Sequence, residues 1–82
     1  MSGTKEMVEK MRKILIDAAG PIADFVIKKQ IRDMGYTLET FPGDKLLLLV
    51  DRVVENAIYD PEKKVEIRNK LRKELRKDLG GE

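Results

Sequence analysis

Several residue types that carry protein chemistry are missing or nearly missing from this sequence. It has no cysteine and no histidine, which removes the thiolate, the usual general base and the commonest metal ligand. Its only serine is Ser2, next to the first residue, so a serine nucleophile is not expected. No glycine-rich phosphate loop is present, because Gly20-Pro21 lacks the Gly-x-Gly spacing and the lysine of such motifs. The sequence predicts a protein that is not an enzyme and that uses no metal or cofactor.

Aromatic residues and long apolar runs are also scarce. Phe25, Tyr36, Phe41 and Tyr59 are the only aromatic residues, so the core has to be built from aliphatic side chains and methionine. The apolar run Leu46–Val50 is far shorter than the roughly 18 residues that span a bilayer. The first residues lack the apolar stretch of a secretory signal. We therefore expect a cytoplasmic protein, of one small domain because 82 residues are too few for two cores.

Charge, by contrast, is abundant. Charged residues form 39% of the sequence, against roughly 25% in typical domains. Glutamine occurs once and asparagine twice. This combination is a thermophile-like composition.

Apolar residues recur at three- and four-residue spacing, which indicates helices. Gly20-Pro21, Gly35 and Asp60-Pro61 mark their ends, since Gly favours a helix C-terminus and Asp or Pro a helix start. Asp44 is predicted to be the N-cap of the third helix. The inner face of the second helix is predicted to consist of Ile22, Ala23, Val26, Ile27, Ile31 and Met34. The sequence predicts four helices at about 4–19, 21–34, 44–59 and 61–79, with no sheet.

The third helix is apolar over most of its circumference. One stripe consists of Leu46, Leu49, Val50, Val53 and Ala57. Leu47, Leu48, Val54 and Ile58 widen that stripe. Such a helix has to be covered on nearly all sides. We therefore predict an all-α fold, a small four-helix domain packed around the third helix.

The last helix carries a basic ridge, which we define as Lys64, Arg68, Arg72 and Arg76, spaced by four residues. Lys73 and Lys77 lie beside it. None of the three arginines has an acid three or four positions away, so intrahelical pairs do not neutralise them. The ridge pairs with acids of a neighbouring helix (Asp51, Glu55, Glu9 or Asp17), or it faces an external anion such as nucleic-acid phosphate or an acidic protein. Interfacial membrane binding is disfavoured because no Trp or Phe accompanies the charge.

Asp51 and Glu55 also stand one turn apart on the third helix. They could share a proton or bind a hard cation. The favoured interpretation is that they mark the solvated edge of that helix, because perturbed carboxylates require a cleft.

A self-association surface is predicted from the leucine-rich faces. Three amphipathic helices of this length leave part of the third helix uncovered, and the stripe of the last helix drifts. The candidate residues are Leu47, Leu48, Val54, Leu71 and Leu75. A homodimer is the simplest assembly that would cover them.

The residues Ala19-Gly20-Pro21-Ile22-Ala23, followed by Val26 and Ile27, resemble a small helical domain of bacterial signalling proteins. That domain is appended to kinases and response regulators and carries a similar Gly-Pro-Ile-Ala corner. The resemblance covers about residues 8–58. It implies a helical accessory module and transfers no catalytic residue to this sequence.

These observations favour a non-enzymatic protein–protein interaction or accessory module that self-associates or docks on another protein. The alternative is a nucleic-acid-binding protein that contacts phosphates through the basic ridge. Base readout by a helix-turn-helix is not expected, because the apolar third helix occupies the position of a recognition helix. No small-molecule substrate is expected.

Overall fold

In the computed structural model, which describes residues 4–78, the chain forms the predicted all-α fold of four helices. The helices are α1 (Thr4–Ala19), α2 (Ile22–Asp33), α3 (Leu46–Ala57) and α4 (Pro61–Asp78). A short 3₁₀ helix, Gly43–Lys45, leads directly into α3. Residues 4–78 contain no strand. Predicted and observed helix bounds agree to within about two residues, and the predicted end at Leu79 lies outside the described residues.

Two glycines reverse the chain as their sequence positions predict. Gly20 ends α1 with a φ of 85°, and its amide donates to the Ile16 carbonyl at 2.8 Å. Gly35 ends α2 with a φ of 92°. There the Gly35 amide donates to the Arg32 carbonyl at 2.9 Å and the Tyr36 amide to the Ile31 carbonyl at 3.1 Å. This pair of bonds is a Schellman motif, which satisfies carbonyls that the helix itself leaves unpaired.

The two acidic N-cap predictions have different outcomes. Asp60 caps α4 as predicted, because its Oδ1 accepts a hydrogen bond from the Glu62 amide at 3.1 Å. The prediction for Asp44 is wrong. Asp44 lies inside the 3₁₀ helix, where Pro42 takes the N-cap position and no side chain caps the amides. The extra 3₁₀ turn starts before Asp44 and therefore removes it from the capping position.

The helices pack with their chain neighbours in antiparallel pairs. α3 contacts each of the other three helices, and α1 does so as well. Arg12 of α1 bonds Asp24 of α2, while Lys64 of α4 bonds Glu55 of α3 and Arg72 bonds Asp51. Residues on both sides of the turns at 20–21 and 58–60 line one depression, so these two turns lie at the same end of the molecule, which we call the corner end.

The core is aliphatic. Leu46, Leu49, Val50, Val53 and Val54 of α3 are completely buried. The other fully covered large side chains are Met11, Leu15, Leu71 and Leu75. Aromatic packing is limited to Tyr36 and Phe41, whose ring centroids lie 5.5 Å apart at 79°.

The prediction of a core position is wrong for one residue, Ile22. Ile22 was assigned to the inner face of α2, but its side chain is 51% exposed. It is the first residue of α2 and lies at the corner end, where no further turn of a neighbouring helix covers it.

Candidate functional site

The basic ridge lies along α3, where it forms a ladder of ion pairs with two carboxylates. Lys64 Nζ lies 2.8 Å from Glu55 Oε2, and Arg72 Nη2 lies 2.7 Å from Asp51 Oδ2. Arg68 sits between them, with Nε 3.4 Å from Asp51 Oδ1 and Nη2 3.8 Å from Glu55 Oε1. Because α3 and α4 are antiparallel, the four-residue spacing on each helix brings successive cations to successive acids. Of the two interpretations of the ridge, internal pairing therefore describes these three residues.

The ladder is partly buried in the contact between α3 and α4. The side chains of Lys64, Arg68 and Arg72 are 22%, 31% and 36% exposed. The Lys64 ammonium donates a hydrogen bond to Glu55 and lies close to it, and Arg68 adds its charge, so the pKa of Glu55 is lowered. A lowered pKa is the opposite of what a shared proton or a general acid requires. Asp51 and Glu55 thus act here as partners of α4 cations.

The outer end of the ridge has a different environment. Arg76, Lys73 and Lys77 are exposed. Lys77 is 3.8 Å from Glu74 of its own helix, and Arg76 has no ion pair within residues 4–78. The ladder stops before Arg76 because the next turn of α3 towards its N-terminus carries Leu47 and Leu48 instead of a carboxylate.

Three of the five predicted self-association residues are not available for contact. Val54, Leu71 and Leu75 are completely buried within one chain, so the prediction is wrong for them. The other three helices, which all contact α3, therefore cover more of its apolar surface than we expected. Leu47 is partly buried and packs against the core. Leu48 is 49% exposed and is the one member of the set on the surface.

The corner end instead exposes large apolar side chains. Ile22 is 51%, Phe25 62% and Tyr59 90% exposed. Phe25 lies three residues after Ile22 and is its neighbour on the surface of α2. We call these three residues the corner patch. It contains two of the four aromatic residues of the sequence.

A shallow depression of about 250 Å³ adjoins the corner patch. Its lining includes the small side chains Ala18, Ala19 and Ala57, together with Ile22 and Tyr59. Its only charged lining residues are Asp60 and Lys63. Lys63 makes no ion pair within the described part of the chain. The sequence held one signal for this surface, since Phe25 falls outside the apolar stripe of α2.

A second concave surface runs between α1 and α2, with a volume of about 710 Å³. Its rim is an ion-pair network in which Arg12 lies 2.9 Å from Asp24 and 2.8 Å from Glu9, and Lys28 lies 3.3 Å from Asp24. The hydrogen bond from Arg12 is the largest of the effects that lower the pKa of Asp24. The floor residues Val8, Ile27 and Ile31 are almost fully buried. Leu38 also lines this groove and is 37% exposed, so the groove presents apolar surface beside its ion pairs.

Two properties of residues 4–78 bear on the kind of site that they form. No three acidic side chains in that range come together in an arrangement that could hold a metal ion. No helix in the same range is both long and apolar enough to cross a membrane.

The fold and these surfaces define a small all-α domain of four antiparallel helices. The chain belongs to the family described as "Domain of unknown function (DUF8082)", whose model matches residues 6–80. Neither the comparison with curated proteins nor the comparison with solved structures finds a match. The family description says nothing of signalling proteins, so the resemblance at the Gly20-Pro21 corner stays a prediction.

Proposed function

We propose that this chain is a non-enzymatic, cytoplasmic protein–protein interaction module, and that the corner patch is its contact surface. The observation that carries the proposal is the exposure of Phe25 and Tyr59. Large aromatic side chains supply much of the binding free energy at protein interfaces. A chain with four aromatic residues that leaves two of them exposed at one end has a surface suited to a partner.

The state of the basic ridge supports the same proposal. Lys64, Arg68 and Arg72 already contact Asp51 and Glu55. An external phosphate would have to compete with carboxylates at 2.7–2.8 Å. This competition lowers the affinity that the ridge offers to a polyanion.

The alternative function, a nucleic-acid-binding protein that contacts phosphates, rests on fewer residues than the sequence suggested. Lys70, Lys73 and Arg76 are exposed on the outer side of α4 and have no ion pair within residues 4–78. With about three free cations, the logarithm of the affinity would fall with the logarithm of salt concentration with a slope of roughly −3. Such binding would be weak at physiological salt and would not discriminate sequence.

A pair of measurements separates the two functions. The first is the molar mass in solution as a function of protein concentration, and the second is a titration with duplex DNA across a salt series. We expect self-association without duplex binding at physiological salt. A monomer that binds duplex with a steep salt dependence, and loses the binding on Lys70→Glu with Lys73→Glu, would overturn the proposal. The control for net charge is the double change Lys13→Glu with Arg32→Glu, which reverses two exposed cations on α1 and α2 that have no ion pair within residues 4–78.

A further inference from the structure

We infer that the partner of the corner patch is a second copy of this chain, joined through a two-fold axis at the corner end. This inference rests on the proposed function and specifies both the occupant and the geometry. In a two-fold dimer the same surface is used twice, so it has to be complementary to itself. The shape, charge and size of the corner patch can each be tested against that requirement.

The shape is complementary to itself because a projection lies beside a hollow. Tyr59 is 90% exposed and stands on the rim of the 250 Å³ depression. The small side chains Ala18, Ala19 and Ala57 leave that depression open to an aromatic ring. In the two-fold arrangement each Tyr59 enters the depression of the other copy, beside Ile22. Both rings then lose their contact with water.

The charge is complementary to itself because the depression carries one acid and one base. Asp60 uses Oδ1 to accept the bond from the Glu62 amide, which leaves Oδ2 available. Lys63 has no ion pair within residues 4–78. A two-fold axis between the copies places each Lys63 near the partner's Asp60, so two equivalent ion pairs form. The chain has a net charge of +2, and repulsion between two such charges is weak and screened by salt.

The size of the patch indicates a reversible dimer. At exposures of 62% and 90%, Phe25 and Tyr59 together offer about 300 Å² of accessible surface per copy. Two copies then bury about 600 Å² through these side chains, before Ile22 and the rim are added. Stable specific interfaces begin at about 1,200 Å² in total. We therefore expect a dissociation constant between about 1 µM and about 1 mM.

The experiment is sedimentation equilibrium of the full chain and of three single-residue variants. Tyr59→Ser and Phe25→Ser remove the aromatic contacts, and each is expected to raise the dissociation constant about tenfold or more. Leu48→Ser is the control, because Leu48 is also a large exposed apolar residue (49%) but lies away from the corner end. Circular dichroism confirms that each variant retains its helices.

The charge pair has its own test. Lys63→Asp places two acids against each other across the axis and is expected to weaken the dimer. Asp60→Asn in the Lys63→Asp background relieves that repulsion and should restore part of the affinity, while asparagine keeps the N-cap of α4. Failure of Asp60→Asn to restore affinity would overturn the proposed ion pair.

Two results would overturn the inference. The first leaves the proposed function intact, and the second can remove it as well. A dimer that is unaffected by Tyr59→Ser and Phe25→Ser but lost on Leu48→Ser moves the interface to α3. The inference then fails and the interaction module remains. A chain that is wholly monomeric at about 1 mM, the weak limit of the dissociation constant expected here, excludes the homodimer. If that monomer also binds duplex with a steep salt dependence, the proposed function fails with it.

Discussion

At the scale of single residues, the four members of the basic ridge are equivalent in sequence but not in structure. Arg72 and Arg76 are both arginines, one helical turn apart on α4. Arg72 bonds Asp51 at 2.7 Å, whereas Arg76 lies beyond the last carboxylate of α3. The sequence could show that the ridge was not neutralised within α4. It could not show where the acids of α3 end relative to α4, because that depends on the register of two helices.

This difference makes Arg72→Glu and Arg76→Glu a matched pair. Arg72→Glu removes a charged hydrogen bond and sets a new carboxylate beside Asp51, so we expect it to lower the free energy of unfolding by roughly 1–2 kcal/mol. Arg76→Glu is expected to change it by less than about 0.5 kcal/mol. Urea denaturation at pH 7 measures both. Equal effects of the two substitutions would contradict the ladder.

The acids of these networks also predict how stability depends on pH. The folded-state pKa values of Asp24 and Glu55 lie below their ordinary values of 3.8 and 4.5, chiefly because Arg12 and Lys64 donate hydrogen bonds to them. The unfolded chain therefore takes up protons first as the pH falls. Their stabilising contribution is complete above about pH 5 and is lost progressively as the pH falls through the lowered values.

Urea midpoints measured from about pH 6 to about pH 2.5 test this dependence. We expect Glu55→Gln to flatten the acid limb of the curve relative to the wild type. The control is Glu66→Gln, which changes an exposed acid on α4 that has no ion pair in the described part of the chain. An acid limb that stays equally steep in Glu55→Gln would show that the Lys64 pair contributes nothing.

At the scale of elements, the helix ends follow from local chemistry and were largely predictable. Gly20, Gly35 and Asp60 each perform the role that their residue type favours. Asp44 shows the limit of that reasoning. Pro42 and Gly43 precede it, and the chain enters α3 through a 3₁₀ turn that begins at Gly43. The residue type of Asp44 favours a helix start there, but it does not show that a 3₁₀ turn begins one residue earlier, at Gly43.

Two glycines provide a test of how the elements are joined. Gly35 has a φ of 92°, which costs an L-residue about 1–2 kcal/mol. Gly35→Ala is therefore expected to lower the free energy of unfolding by about 1 kcal/mol. Gly43 does not have a positive φ, and an added Cβ would meet Thr4 Oγ1 at 3.5 Å, an ordinary contact.

Gly43→Ala is accordingly the control, and we expect it to be neutral or slightly stabilising. Thermal unfolding followed by circular dichroism measures both variants. A loss for Gly43→Ala as large as that for Gly35→Ala would mean that the Schellman motif is not the cause.

For the whole molecule, the all-α fold and the buried third helix could be predicted from apolar periodicity. The apolar residues that stay exposed after the helices pack could not. From the sequence, Leu71, Leu75 and Val54 were assigned to a surface for self-association, yet all three are completely buried within the fold. Ile22 read as core but is exposed, because the helices end at the corner. Which apolar residues remain outside depends on how long each helix is relative to its neighbours.

The two conspicuous surfaces differ in what they contact. Lys64, Arg68 and Arg72 of the basic ridge form ion pairs that join α4 to α3, whereas we propose that the corner patch contacts a partner. Neither role requires a cofactor or a reacting group, and the family to which the chain belongs is described only as a domain of unknown function.

The molar mass of the unmodified chain, measured by sedimentation equilibrium over rising concentration, tests whether the chain forms the two-fold dimer. One chain has a mass of 9.4 kDa. We predict that the weight-average mass rises above that of one chain between about 1 µM and about 1 mM and never exceeds twice that value, because a two-fold dimer is closed. A mass that stays at that of one chain over the whole range would contradict the account.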